Sequence, residues 1–273
     1  MMFLPQTQAP TTLDHWLSRV LEQTNSAGAE QLYALIDLAS SQLPILNTLQ
    51  LHSAQAPFIL LLEENHGREI AESGPALVQI DMADGAQKKL LRDLLHAIEG
   101  EPRCMLLIPA PHTTFRQLQA RLYLATQVEH GEGGEMRFML RYYDPRCFMI
   151  ALNHLDQSAQ KLLLEPVRQW HWLNRDNCPC QLEQPDDIAN WPDWPHPALH
   201  LSEPAIAYIS AWHQAELWRQ RYRLSPEDLK QADQEALMQL LVSAQLAADQ
   251  ADMLSEPQRV AFIRDYLSSA VHD

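Results

Sequence analysis

The chain is 273 residues long and 46% hydrophobic, enough for one large domain or two modest ones with a real core. Its 20 Lys and Arg against 35 Asp and Glu leave a formal charge of -15, which repels nucleic-acid phosphate and anionic lipid unless basic side chains are segregated. No such patch is written in the sequence: the densest basic cluster, Arg219, Arg221 and Arg223, falls where a helix is expected to end and complements its dipole.

The opening MMFLPQTQAPTT has neither Lys nor Arg and no apolar stretch long enough for a secretory signal, and no later apolar run approaches a membrane span. Four cysteines, Cys104, Cys147, Cys178 and Cys180, are too few and too unevenly spaced for a disulfide framework, so a soluble, cytoplasmic protein with reduced thiols is expected. Leu13, Trp16, Leu17, Val20 and Leu21 recur at helical spacing, and QLYALIDL (31–38) then has the length and composition of a strand. Further strands are expected in PFILLLE (57–63), ALVQID (76–81), RCMLLIPA (103–110), EMRFMLRYY (135–143) and VRQWHWL (167–173). Between them lie two helical stripes. One is Leu90, Leu91, Leu94, Leu95 and Ile98; the other is Phe115, Leu118, Leu122 and Ala125, opened by Thr114 and Gln117 as a capping box. Strands alternating with helices predict an α/β layer structure with a mixed, partly parallel sheet.

After residue 173 the texture changes. The stretch 174–200 carries five prolines and no periodicity and reads as irregular, and everything beyond it reads as helical. Ser202 with Pro204, Ser225 with Pro226 and Asp228, and Ser255 with Pro257 and Gln258 each predict a serine-capped helix start. Leu237, Leu240, Leu241, Ala244 and Ala248 form one apolar stripe, and Val260, Ile263, Leu267 and Val271 another. The expected organisation is an α/β domain over 1–180, a Pro/Trp-rich connector over 181–200 and a small helical lobe over 201–273. Residues 182–273 hold 15 acidic and six basic side chains, so the outer face of the lobe is expected to be acidic and to favour a basic client surface.

The stretch RFMLRYYDPR (137–146) sets an alternating pattern against an Asp-Pro corner. In a strand over 136–143, Met136, Phe138, Leu140 and Tyr142 would face one way and Arg137, Met139, Arg141 and Tyr143 the other. Asp144 then stands at an N-cap with Pro145 at the first helical position, its carboxylate within reach of Arg141 or Arg146.

YALID (33–37), SGPALVQI (73–80) and MLRYYDPR (139–146), in this order and spacing, resemble the signposts of the type VI secretion effector-adaptor family, catalogued as a domain of unknown function. The resemblance covers residues 31–170 and places Asp37, Gly74, Pro75, Arg141, Tyr143, Asp144, Pro145 and Arg146 on the family pattern. The chain departs from it at PFILLLEENH (57–66), where relatives often have a leucine-phenylalanine and a glycine turn. The resemblance implies a cytoplasmic chaperone that binds a toxic effector and loads it onto the VgrG spike, without turnover; neither a cofactor nor membrane insertion is expected.

Other chemistries leave weaker traces. GxSxG, GxxxxGK[ST], HExxH and GxGxxG are all absent, so a hydrolase would have to use Asp144 and Arg146 with a histidine such as His112 or His171. Cys178 and Cys180, near His171, His196 and His200, do not have the spacing of common structural zinc sites, and no metal is expected. Trp170, Trp172, Trp191 and Trp194 are expected to staple the connector onto a core. Tyr208 with Trp212, and Trp218 with Tyr222, lie at i, i+4 on different faces; one pair can serve the core and the other line a groove for an apolar client segment.

Overall fold

The computed structural model describes residues 2–39, 45–130, 136–193, 198–253 and 255–272, the side chains of residues 136, 271 and 272 excepted. The chain divides into two compact units, Met1–His200 and Leu201–Asp273.

The strands belong to the first unit: β1 (Gln6–Thr7), β2 (Gln31–Asp37), β3 (Phe58–Leu60), β4 (Pro75–Asp81), β5 (Cys104–Pro109), β6 (Gln127–His130), β7 (Met136–Met139), β8 (Val167–Leu173), β9 (Pro179–Glu183) and β10 (Leu199–His200). Seven of them form one sheet in the order β1-β9-β8-β5-β2-β4-β3, and β10-β6-β7 form a second. Every neighbouring pair of the large sheet is antiparallel, and among the described residues the parallel pairing is that of β10 with β6. The parallel character expected of the sheet is thus found in the small mixed sheet, and the large sheet is antiparallel. The strand–helix–strand rhythm arises because β4 and β5 run the same way on either side of a helix, while β2 is inserted between them and pairs antiparallel with both.

Among the described residues these strands are accompanied by the helices α1 (Leu13–Ser26), α2 (Ile45–Leu51), α3 (Glu63–His66), α4 (Arg68–Ala71), α5 (Gly85–Ala97), α6 (Phe115–Leu124), α7 (Pro145–His154) and α8 (Gln157–Leu164). The stripes of α1 (Leu13, Trp16, Leu17, Val20) and α5 (Leu90, Leu91, Leu94, Leu95) pack with Ala34 and Ile36 of β2 and Val78 and Ile80 of β4. On the other face, Phe115 of α6 stacks on Tyr33 with ring centroids 5.8 Å apart, and Phe148 of α7 stacks on Trp170 at 4.6 Å and meets Trp172 edge-on at 5.4 Å. A central strand covered on both faces is apolar at nearly every position, as QLYALID is. The capping box of Thr114 and Gln117 is present at α6.

Three local expectations are corrected. PFILLLE is a strand only over β3; Leu61 and Leu62 turn into α3 and α4, separated by Gly67 at φ 79°. The strand before the corner stops at Met139, in the small sheet, so Tyr142 and Tyr143 are both buried in a turn and do not alternate. Within 174–200, Pro179–Glu183 is β9, the hairpin partner of β8, and Leu199–His200 is β10. Trp170 and Trp172 are sheet core; Trp191 is the staple. Its ring lies 6.2 Å from Phe3, whose N–H and C=O bond the Asn153 side chain at 2.6 and 3.0 Å, and its carbonyl accepts from buried Lys161 at 2.9 Å. Trp194 lies outside the described residues.

The second unit consists of α9 (Glu203–Tyr222), α10 (Gln234–Gln250) and α11 (Glu256–His272), with α10 packed along both of the others. Ser202 caps α9 as expected, with Pro204 in its first turn. Ser225 and Pro226 open only a 3-10 turn, Glu227–Leu229; α10 is capped instead by Asp233, which accepts from Ala236 N–H at 2.8 Å. Leu237, Leu241, Ala244, Ala248, Ile263 and Leu267 are buried, and Arg259 of α11 donates to the buried Gln245 of α10 at 2.8 Å. The Val271 side chain lies outside the described residues.

Candidate functional site

The three segments that carry the family resemblance meet at one end of the large sheet. Asp37, the last residue of β2, is paired in register with Pro75, the first of β4. Its N–H donates to the Arg103 carbonyl at 2.8 Å, and the next N–H, of Leu38, donates to the Gly74 carbonyl at 3.1 Å. A Cβ at Gly74 would stand 2.6 Å from Leu62 Cδ1, so a side chain there would require the buried Leu62 to shift. The Asp37 carboxylate, 1% exposed, accepts from Ala39 N–H at 3.0 Å and from Arg141 Nη2 at 2.6 Å.

Arg141 stands in the turn that joins β7 to α7. Leu140 N–H donates to the Thr126 carbonyl at 2.8 Å and Asp144 N–H to the Arg141 carbonyl at 3.1 Å, and the buried Tyr142 hydroxyl pins the turn to the Leu122 carbonyl at 2.6 Å. Asp144 is the N-cap of α7, accepting from Arg146 N–H at 3.0 Å, and Pro145 begins the helix. Arg146 holds the same carboxylate with both ends of its guanidinium, Nε to Oδ1 at 2.9 Å and Nη2 to Oδ2 at 2.8 Å. Arg141 Nη2 lies 3.9 Å from Asp144 Oδ2, so one guanidinium nitrogen faces both carboxylates, while the side chain remains 45% exposed.

Burial pushes the Asp37 carboxyl above its ordinary range, opposed chiefly by the charge of Arg141. Burial also works against the charge on Arg141, but Asp37 and its neighbours outweigh it and hold the guanidinium protonated. The Tyr143 phenol, beside the Arg141 guanidinium and bonded to Met139 Sδ, is pushed well up by burial. The Cys147 thiol, one turn into α7, is pushed up to about 12 by burial and then by Asp144. Hydroxyl and thiol therefore stay protonated at neutral pH, and the two carboxylates are each matched by a guanidinium. The arrangement is a closed charge lock.

Neither histidine weighed for hydrolysis lies with it. His171 shares a row with Leu106 and Ala34 on the α1 face of the sheet, whereas Asp37 points to the other face; burial, with Arg19 nearby, lowers its imidazole to about 4. His112, at φ 67°, follows the C-terminal end of β5, and the antiparallel pairing places that end away from Asp37. Among the described residues no group of three His, Cys, Asp or Glu could hold a metal ion; His196 lies outside them. Of the four aromatics proposed for a groove, Trp212 and Trp218 are buried and Tyr208 and Tyr222 half-buried, with the Trp218 and Tyr222 rings 4.6 Å apart. Nothing local in the sequence points Asp37 to Arg141, or Arg103 to the backbone of Asp37. The available signal was a carboxylate ending an otherwise apolar strand.

The fold and the lock define an α/β domain with an antiparallel sheet, tied at one end by paired charges. Residues 32–162 match the family model described as "Domain of unknown function (DUF4123)". No curated protein and no solved structure matches the chain.

Proposed function

We propose that the protein is an adaptor of a type VI secretion system: a chaperone that binds a toxic effector in the cytoplasm and presents it to the VgrG spike, acting by binding and without turnover. The observation that carries this reading is the convergence of 33–37, 73–80 and 139–146 on the Asp37–Arg141–Asp144–Arg146 lock. The matched family is associated with such adaptors. The residues that carry the resemblance act as a scaffold, holding the turn before α7 against the end of β2, and leave recognition to the surface. No described helix is long and apolar enough to cross a membrane.

The test is co-expression of the tagged chain with the toxin and the spike protein encoded beside its gene. The expected result is a higher yield of soluble toxin and a complex that co-purifies with the spike, since a partner that binds the folded client stabilises it by mass action. A toxin that is equally soluble and equally spike-bound without the chain would overturn the proposal.

A further inference from the structure

Three of the six basic residues of the second unit crowd into the end of α9: Arg219, Arg221 and Arg223. The fold brings a fourth from another helix. Arg264 of α11 sets its guanidinium 5.5 Å from the Tyr222 ring centroid, Arg221 lies 5.6 Å from the same ring, and the Trp218 ring is 4.6 Å away.

Two of these charges are already matched. Arg219 binds Glu216 and Arg221 binds Glu256, at 2.8 and 2.7 Å. Arg223, at the left-handed C-cap with φ 50°, and Arg264 are exposed, and among the described residues neither guanidinium meets a carboxylate, the adjacent Asp265 included. The acids of the intervening turn are engaged locally: Asp228 accepts from Ser225 N–H at 2.8 Å, and Glu227 is held by its own N–H and the Ser225 hydroxyl.

We propose that this corner, Trp218 and Tyr222 with Arg221 and Arg264 against the Tyr222 ring and Arg223 at the adjoining helix C-cap, docks an acidic segment of a partner protein. Carboxylates of the segment meet the free arginines, and an apolar side chain lies against the half-exposed Tyr222 ring. Arginine and aromatic side chains together are the residue types that dominate binding hot spots, and the guanidinium fork suits a carboxylate. A long polyanion fits less well. Screening limits the reach of the patch to about 8–10 Å, and beyond it the 11 acidic side chains of residues 201–273 repel further negative charge. The inference takes its setting from the adaptor reading and sharpens it, naming a partner chemistry opposite to the overall charge of the unit.

The probe is a fluorescein-labelled decapeptide alternating glutamate with leucine, read by anisotropy against the full chain, with its lysine–leucine counterpart for comparison. A chain of formal charge -15 should favour the lysine peptide unless a segregated basic site exists. The expected result is preference for the glutamate peptide, weakened at least tenfold by Arg223→Glu with Arg264→Glu. Arg68→Glu with Arg92→Glu, the same charge change on α4 and α5, should leave binding unchanged. Arg223→Gln with Arg264→Gln guards against a misfolded reversal variant, and circular dichroism checks each protein. Preference for the lysine peptide, an equal loss in the α4/α5 control, or tighter binding of anionic vesicles or inorganic phosphate would overturn the proposal. Because the peptide stands in for no particular toxin or spike, this result is independent of the co-expression experiment.

Discussion

Arg141 and Asp37 are 104 positions apart and joined by one 2.6 Å contact. Removing one partner of a buried pair strands the other, at a cost of about 3–5 kcal/mol when both are buried; with Arg141 half exposed, Arg141→Ala should cost about 2–3 kcal/mol at neutral pH. The pH dependence has a definite sign. Asp37 already holds its proton more tightly folded than unfolded, so its contribution is present in full below the unfolded value and is lost as pH rises through the folded one. Without Arg141 that folded value rises further, and the deficit should be smaller at pH 5 than at pH 7. Asp37→Asn in the Arg141→Ala background should recover most of the loss; urea melts showing no recovery would mean the pair is not the lock. His171 behaves oppositely. Burial lowers it from 6.5 to about 4, so the folded form stays neutral where the unfolded form takes up a proton, and stability falls as pH drops through that window. At 1.36 kcal/mol per pH unit the full loss is about 3 kcal/mol. His171→Gln should flatten the melting temperature between pH 6.5 and 4.5, and an unchanged slope would assign the acid sensitivity elsewhere.

At the scale of elements, what the sequence made legible was local chemistry. The stripes of α1, α5 and α6, the capping box at Thr114 and the Asp144–Pro145 start of α7 are set by side chains within four residues of one another, and each stands where expected. What the sequence hid was pairing. Helix-linked strands suggest parallel neighbours, yet whether a third strand slips between them depends on contacts dozens of residues away, as with β2 between β4 and β5. β9 was hidden for a related reason: PCQLE has a proline, a glutamine and a glutamate, and only its hairpin with β8, a residue-by-residue pairing from Gln169 with Glu183 to Leu173 with Pro179, makes it a strand. Half of the lock, Asp144 with Arg146, is two residues long and was readable; the other half, Asp37 with Arg141, required the fold.

A cut at residue 180 runs through β9, discarding Gln181–Glu183, which pair with His171, Trp170 and Gln169, and also removes β10. Residues 1–200 instead keep all ten described strands and coincide with the first compact unit. A 1–200 fragment should therefore unfold cooperatively in urea, whereas 1–180, with its β8 edge stripped, should melt earlier and bind more hydrophobic dye. If recognition resides in α9 to α11, 1–200 will be folded and yet fail to capture the toxin that the full chain captures. Full retention of the toxin by a cooperatively folded 1–200 fragment would move recognition to the α/β unit, and the 45%-exposed Arg141 would then be the first residue to substitute in search of it.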